Sequence, residues 1–138
     1  MTQTPSLPSP LDIDELLAYL PILTNENFQP VITWHGGIKN EDGVINLPYP
    51  QYDQTILDFF KLASKECWLD YGYDPVSTGK LLQEHAYVRS CSLEQIRTLL
   101  TYCIRGERFM DGHWEVMIKD GYIQRILLRL AEIRSQMK

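Results

Sequence analysis

The chain is predicted to be a mainly α single-domain helical bundle of about five or six helices, with one small β-hairpin. Three observations carry this. Apolar residues recur at helical spacing in several separate segments, most cleanly over residues 93–104 and 122–137. Helix-start chemistry, above all Ser92 followed by Gln95, stands directly ahead of such a stripe. Between Pro30 and Pro48 two short β-prone runs, residues 31–34 and 44–47, are separated by the turn residues Gly36-Gly37 and Asp42-Gly43.

Taken in order, residues 1–10 hold three prolines and no periodic pattern, and are expected to form a disordered tail ahead of one domain over residues 11–138. Asp12 with Glu15 resembles a capping box for a short helix through Leu16, Leu17 and Leu20, which Pro21 would stop or kink. Val31-Ile32-Thr33-Trp34 and Val44-Ile45-Asn46-Leu47 are β-prone, and Gly36-Gly37 and Asp42-Gly43 supply turns between them, so these two runs are expected to pair. Pro48-Tyr49-Pro50 reads as an extended close to that section.

Residues 52–67 are expected to form a helix, because Tyr52, Ile56, Phe59, Phe60, Leu62, Ala63 and Cys67 share one side. Asp74-Pro75 is an N-cap followed by proline in the first turn, opening a helix with Val76, Leu81, Leu82 and Ala86 on its apolar face. The helix after Ser92 gathers Leu93, Ile96, Leu99, Leu100, Cys103 and Ile104, with Thr98 and Thr101 opposite. Gly106 stands where a left-handed C′ residue belongs. Gly121 is expected to end a short helix over residues 114–119, with a strand as the competing reading. The last helix carries Ile123, Ile126, Leu127, Leu130, Ile133 and Met137 on one face, and leaves Leu128 outside the stripe.

The chain has 138 residues, 44% hydrophobic and 22% charged, enough for one core without staples. No apolar run is long enough for a membrane span, and the first ten residues lack the basic and apolar regions of a secretory signal. Cytoplasmic residence is therefore expected. Three scattered cysteines, Cys67, Cys91 and Cys103, suit reduced, buried thiols better than a disulfide framework. The net charge of −5 conceals a division. Residues 1–88 carry four Lys/Arg against twelve Asp/Glu, and residues 89–138 carry nine against six. Such halves attract one another, within a chain or across a homodimer.

Chemical motifs are few. Residues 72–80 end in Gly79-Lys80 but fail as a phosphate loop: the glycine spacing is wrong, and Leu81 stands where a magnesium-binding hydroxyl is needed. His35, His85 and His113 form no close ligand pair with each other or with a cysteine, so no metal site is expected. No other cofactor motif is present, and no cofactor is expected. Glu107, Asp111 and Glu115 near His113 could serve acid–base chemistry, but equally make an ordinary solvated face.

The densest chemistry lies in Arg105-Gly106-Glu107-Arg108-Phe109-Met110-Asp111-Gly112-His113-Trp114. As a structural corner, Phe109 plugs the core, Arg108 satisfies carbonyls or an acid, and Trp114 packs beneath the next element. As a site, Arg105, Arg108 and His113 present donors beside aromatic rings, suited to an anion or a peptide carboxylate. Those three are the candidate ligand-binding residues, with no catalytic residue assigned. Nucleic acid is not the expected partner, although Arg97, Arg105, Arg125 and Arg129 are the arginines that would serve it.

The spacing Arg105-x-x-Arg108-Phe109-x-x-Gly112, then Gly121-x-Ile123-x-x-Ile126-Leu127-x-Arg129-Leu130, resembles the C-terminal half of a family of small bacterial proteins known only as a domain of unknown function. Leu99-Leu100-Thr101 and Pro48-Tyr49 are similar to it too, so the resemblance covers roughly residues 16–133. Members of that family carry an Asp-Trp and a second Trp after the long helix, where this chain has Trp68-Leu69-Asp70-Tyr71-Gly72-Tyr73. The resemblance implies a shared helical fold and no particular activity. The expected function is a non-catalytic protein-interaction or regulatory module, binding a protein partner or itself as a homodimer. The alternative is an enzyme or small-anion binder acting around Arg105, Arg108 and His113.

Overall fold

The structure, a computed structural model, describes residues 7–39 and 41–137. It is mainly α with a small two-stranded sheet, as the patterning predicts. The elements are α1 (Pro10–Leu17), α2 (Leu20–Leu23), β1 (Val31–His35), β2 (Tyr49–Tyr52), α3 (Gln54–Ala63), α4 (Pro75–Leu82), α5 (His85–Ser90), α6 (Leu93–Arg105), α7 (His113–Lys119) and α8 (Tyr122–Ser135). Short 3-10 turns at Glu66–Trp68 and Gly106–Arg108 follow α3 and α6. The helices are more numerous and shorter than expected, because the segment after Asp74 breaks between α4 and α5.

The cap of α1 is one turn earlier than the sequence suggests. The Ser9 hydroxyl accepts from the Asp12 backbone N–H, and the Asp12 carboxylate accepts from the Ser9 N–H at 2.8 Å. Asp12 is thus the far end of the capping box, and Pro10 opens the helix instead of closing a tail. The remainder of the expected tail, residues 1–6, lies outside the described residues. Pro21 likewise belongs to the first turn of α2, where its missing N–H costs nothing, so it begins a helix.

The hairpin pairs differently from expectation. β1 runs antiparallel to β2, with Trp34 opposite Pro50 and His35 opposite Tyr49. Gly36 and Gly37 both take positive φ, and the Gly37 N–H donates to the Asn46 carbonyl at 2.7 Å. Residues 44–47 become an exposed loop, tied to the segment before it by a Lys39–Ile45 bridge. Pro50 is tolerated in β2 because a two-stranded sheet has only edge strands. Tyr52 ends β2 instead of starting α3, which Asp53 caps by accepting the Thr55 N–H.

The core is one cluster. α8 packs against α1, α2, α5, α6 and α7, while α6 also meets α3 and α4. Ile96, Leu99, Leu100 and Cys103 from α6 interlock with Ile123, Ile126, Leu127 and Leu130 from α8, around Phe59, Phe60 and Trp68. Burial of these side chains supplies the main drive to fold, roughly 1.5–3 kcal/mol for each large one. Thr101, expected on the polar side of α6, is fully buried. Its hydroxyl lies 2.9 Å from the Arg97 carbonyl and 3.2 Å from the Trp68 carbonyl, and accepts from the Asp70 N–H at 3.0 Å. A hydroxyl so used is cheap to bury. Conversely Val76 and Leu81 of α4 are exposed, and its buried residues are Thr78 and Leu82. The acidic and basic halves meet within the chain: the Arg134 guanidinium on α8 clasps the Asp14 carboxylate on α1 at 2.9 and 3.3 Å. No helix among the described residues is long and apolar enough to cross a membrane.

Candidate functional site

The corner between α6 and α7 is built by Glu107. α6, held at its start by the Ser92–Gln95 capping box, runs through Arg105 into the 3-10 turn Gly106–Arg108. The chain then reverses through Gly112, whose φ of +92° only glycine adopts readily, and α7 begins. Gly112 has no side chain with which to cap that helix. The Glu107 carboxylate does so from five residues upstream: Oε2 accepts the Gly112 N–H at 2.9 Å, and Oε1 accepts the Trp114 N–H at 2.8 Å. Negative charge there also complements the positive end of the α7 dipole. Oε1 takes a third bond, 2.6 Å, from the Tyr52 hydroxyl at the end of β2. One carboxylate therefore fastens the hairpin to the corner. Burial and this bond push the Tyr52 phenol well above its ordinary range.

Trp114 packs beneath the corner as expected. Its indole stacks on Phe60 with ring centres 4.4 Å apart, and its Nε1 donates to the Ile104 carbonyl at 3.0 Å. Phe109 does not plug the core. It is 80% exposed and Met110 60%, because the turn after Gly106 points both outward. Gly106 is not left-handed either: its φ of −62° is helical. It is glycine for want of space. A Cβ there would stand 2.3 Å from His113 Nε2 and 2.4 Å from the adjoining ring carbons. At Gly121 the expected left-handed termination is present, with φ +79°, and the strand reading of the preceding segment is excluded by α7.

The three candidate ligand-binding residues divide. His113 is only 5% exposed, wedged between Gly106 and Tyr102, with ring centres 5.4 Å apart in the latter pair. Burial lowers its pKa, opposed more weakly by Glu107 and the Tyr102 backbone, and Nε2 has no hydrogen-bond partner among the described residues. Arg105 and Arg108 instead share the rim of a cleft of about 560 Å3 that does not include His113. Leu69, Tyr71, Ile104 and Trp114 form its apolar walls. The Arg105 guanidinium carbon lies 5.9 Å above the centre of the Tyr71 ring, whose hydroxyl donates to Glu66 at 3.0 Å. Neither Arg105 nor Arg108 pairs with a carboxylate among the described residues.

Reactive groups in the cleft are already engaged. Ser64 Oγ donates to the Phe60 carbonyl at 2.6 Å, and both Glu107 oxygens are taken. Cys67, Cys91 and Cys103 are unpaired thiols whose pKa values burial raises, so they are held protonated. Among the described residues no three His, Cys, Asp or Glu side chains are grouped to hold a metal ion. Of the four arginines named for nucleic acid, Arg97 turns inward to the Leu69 carbonyl at 3.2 Å, and Arg125 and Arg129 lie on α8 away from the cleft. The role of Glu107 could not be read from its sequence neighbours. Its one local sign is a helix that starts at a glycine with an acid five residues before.

Residues 8–136 match the family model of a family of unknown function, DUF6508. No curated protein and no solved structure matches the chain.

Proposed function

The chain belongs to this family of unknown function, and from the geometry of its corner we propose that it is a non-catalytic interaction module. Its cleft receives an acidic segment of a partner protein. The observation that carries this is the pair Arg105 and Arg108, one helical turn apart on the cleft rim and without carboxylate partners. Guanidinium forks bind carboxylates bidentately, and two together reward two acidic side chains. Leu69, Ile104 and Trp114 offer an apolar side chain a surface to cover, and exposed Phe109 and Met110 extend the apolar area beyond the rim. Binding is favoured over catalysis because the nucleophile and carboxylate in the cleft are committed to structure, and His113 is sealed beneath Gly106. The proposal includes cytoplasmic residence, which the free thiols support.

The test is calorimetry of the full chain with a glutamate-rich peptide carrying one phenylalanine. Arg105→Ala and Arg108→Ala are each expected to weaken binding about tenfold, the worth of one charge-assisted contact, with little change in melting temperature. Unchanged affinity in both variants would contradict the proposal. So would light scattering that shows a salt-sensitive dimer the peptide cannot displace, since the cleft would then serve a second copy.

A further inference from the structure

A second cationic site lies away from the corner, between α5 and α8. His85 and Arg89 on α5 face Arg125, Leu128 and Arg129 on α8 across a groove of about 280 Å3, with Glu132 as the single acid in its lining. Three guanidiniums against one carboxylate leave a net positive charge before His85 is considered. Two of the three are held in place by the protein. Arg129 Nε donates to the Cys91 carbonyl at the end of α5, 2.8 Å away, and its NH1 reaches Glu132 at 3.0 Å. Arg125 NH1 donates to the Asp120 carbonyl at 3.2 Å, with its guanidinium 5.6 Å from the centre of the Tyr122 ring. Each guanidinium has five N–H donors, so both keep donors beyond these bonds. Arg89 has no hydrogen bond or ion pair among the described residues. Leu128, 52% exposed and off the apolar stripe of its helix, forms an uncharged wall beside them.

Like charges gathered around a small groove repel one another, and ordering of two arginines by backbone carbonyls removes part of the entropy cost of binding. An anion with several acceptor oxygens and near-double charge satisfies the most donors, and an apolar substituent would cover Leu128. We propose that the α5–α8 groove binds a phosphomonoester, its phosphate among Arg89, Arg125 and Arg129 and its organic group on Leu128. This site is independent of the cleft at Arg105 and Arg108.

The experiment titrates the full chain at slightly alkaline pH, where a phosphomonoester is a dianion, with phenyl phosphate and separately with benzoate. A parallel arm uses phosphatidylcholine vesicles with and without phosphatidic acid. Saturable binding of phenyl phosphate, weakened about tenfold in Arg89→Ala and in Arg125→Ala but kept in Arg105→Ala, is expected. Arg89 is exposed and has no hydrogen bond or ion pair among the described residues, so loss of binding in Arg89→Ala does not report loss of fold. The same variant pattern seen only with phosphatidic acid vesicles places the phosphate on a lipid and sustains the site. Equal binding by wild type and Arg89→Ala, benzoate binding as tight as phenyl phosphate, or no binding to either phosphate source overturns it.

Discussion

Replacing Gly106 with alanine separates two reasons for a glycine at the end of α6. In an ordinary helix the change is favourable by about 1 kcal/mol, since alanine is the best helix former and Gly106 already has helical φ and ψ. Here the new methyl would meet the His113 ring at 2.3–2.4 Å. Carbon contacts are optimal at roughly 3.5–4.0 Å, so the overlap exceeds an ångström. The imidazole is buried and packs edge-on against Tyr102. Relief requires the corner to open, which loosens the Glu107 bonds to the Gly112 and Trp114 N–H groups. Overpacking of this kind costs about 1–3 kcal/mol, and strain on a capping carboxylate adds to it. Net destabilisation of about 2 kcal/mol is expected, lowering Tm by about 5–8 °C. The assay is urea unfolding followed by tryptophan fluorescence, in a cycle with His113→Ala. In the His113→Ala background the obstacle is gone, and Gly106→Ala is expected to turn neutral or stabilising. An equal cost in both backgrounds would refute the reasoning, because that is how a left-handed glycine behaves.

His113 also sets a pH dependence. Its folded-state pKa lies below the ordinary value of 6.5, so the unfolded chain takes up the proton first. The stability it contributes is complete above pH 6.5 and declines as the pH falls from there through the lowered folded value. His113→Gln is expected to flatten that decline in urea titrations, and a wild-type slope that the substitution leaves unaltered would remove His113 as its source. Phe109→Ser is expected to change stability by less than about 0.5 kcal/mol, as for an exposed site. A loss of about 3–5 kcal/mol in thermal unfolding would restore the core role that its aromatic ring suggests from sequence.

What was legible in the sequence was local chemistry. Ser92 and Gln95 cap α6 as their spacing states, and the stripes of α6 and α8 become the centre of the core. Gly121 ends α7 by adopting the backbone that glycine favours. Structure and expectation part where a distant group decides. Val44 and Ile45 have stronger strand character than Pro50 and Gln51, yet the Gly36-Gly37 turn and the anchoring of Tyr52 to Glu107 select the later strand. Gly106 reads from sequence as a left-handed C′ residue, and the reason it is glycine, the ring of His113 from the next helix, lies seven residues away. At the site, Arg105 and Arg108 are legible as donors set beside aromatic residues in one short segment. His113 shared their segment but was drawn inward, since sequence proximity does not say which face of a corner a ring takes.

The proposed role of the cleft is tested most directly by amide NMR of the chain during titration with the acidic, phenylalanine-bearing peptide. Shift changes are expected at Leu69, Tyr71, residues 104–108 and the Trp114 indole, all absent when Arg105 and Arg108 are both alanine. Changes confined to other surfaces, or the same changes in that double variant, would contradict an acidic-segment site at this corner.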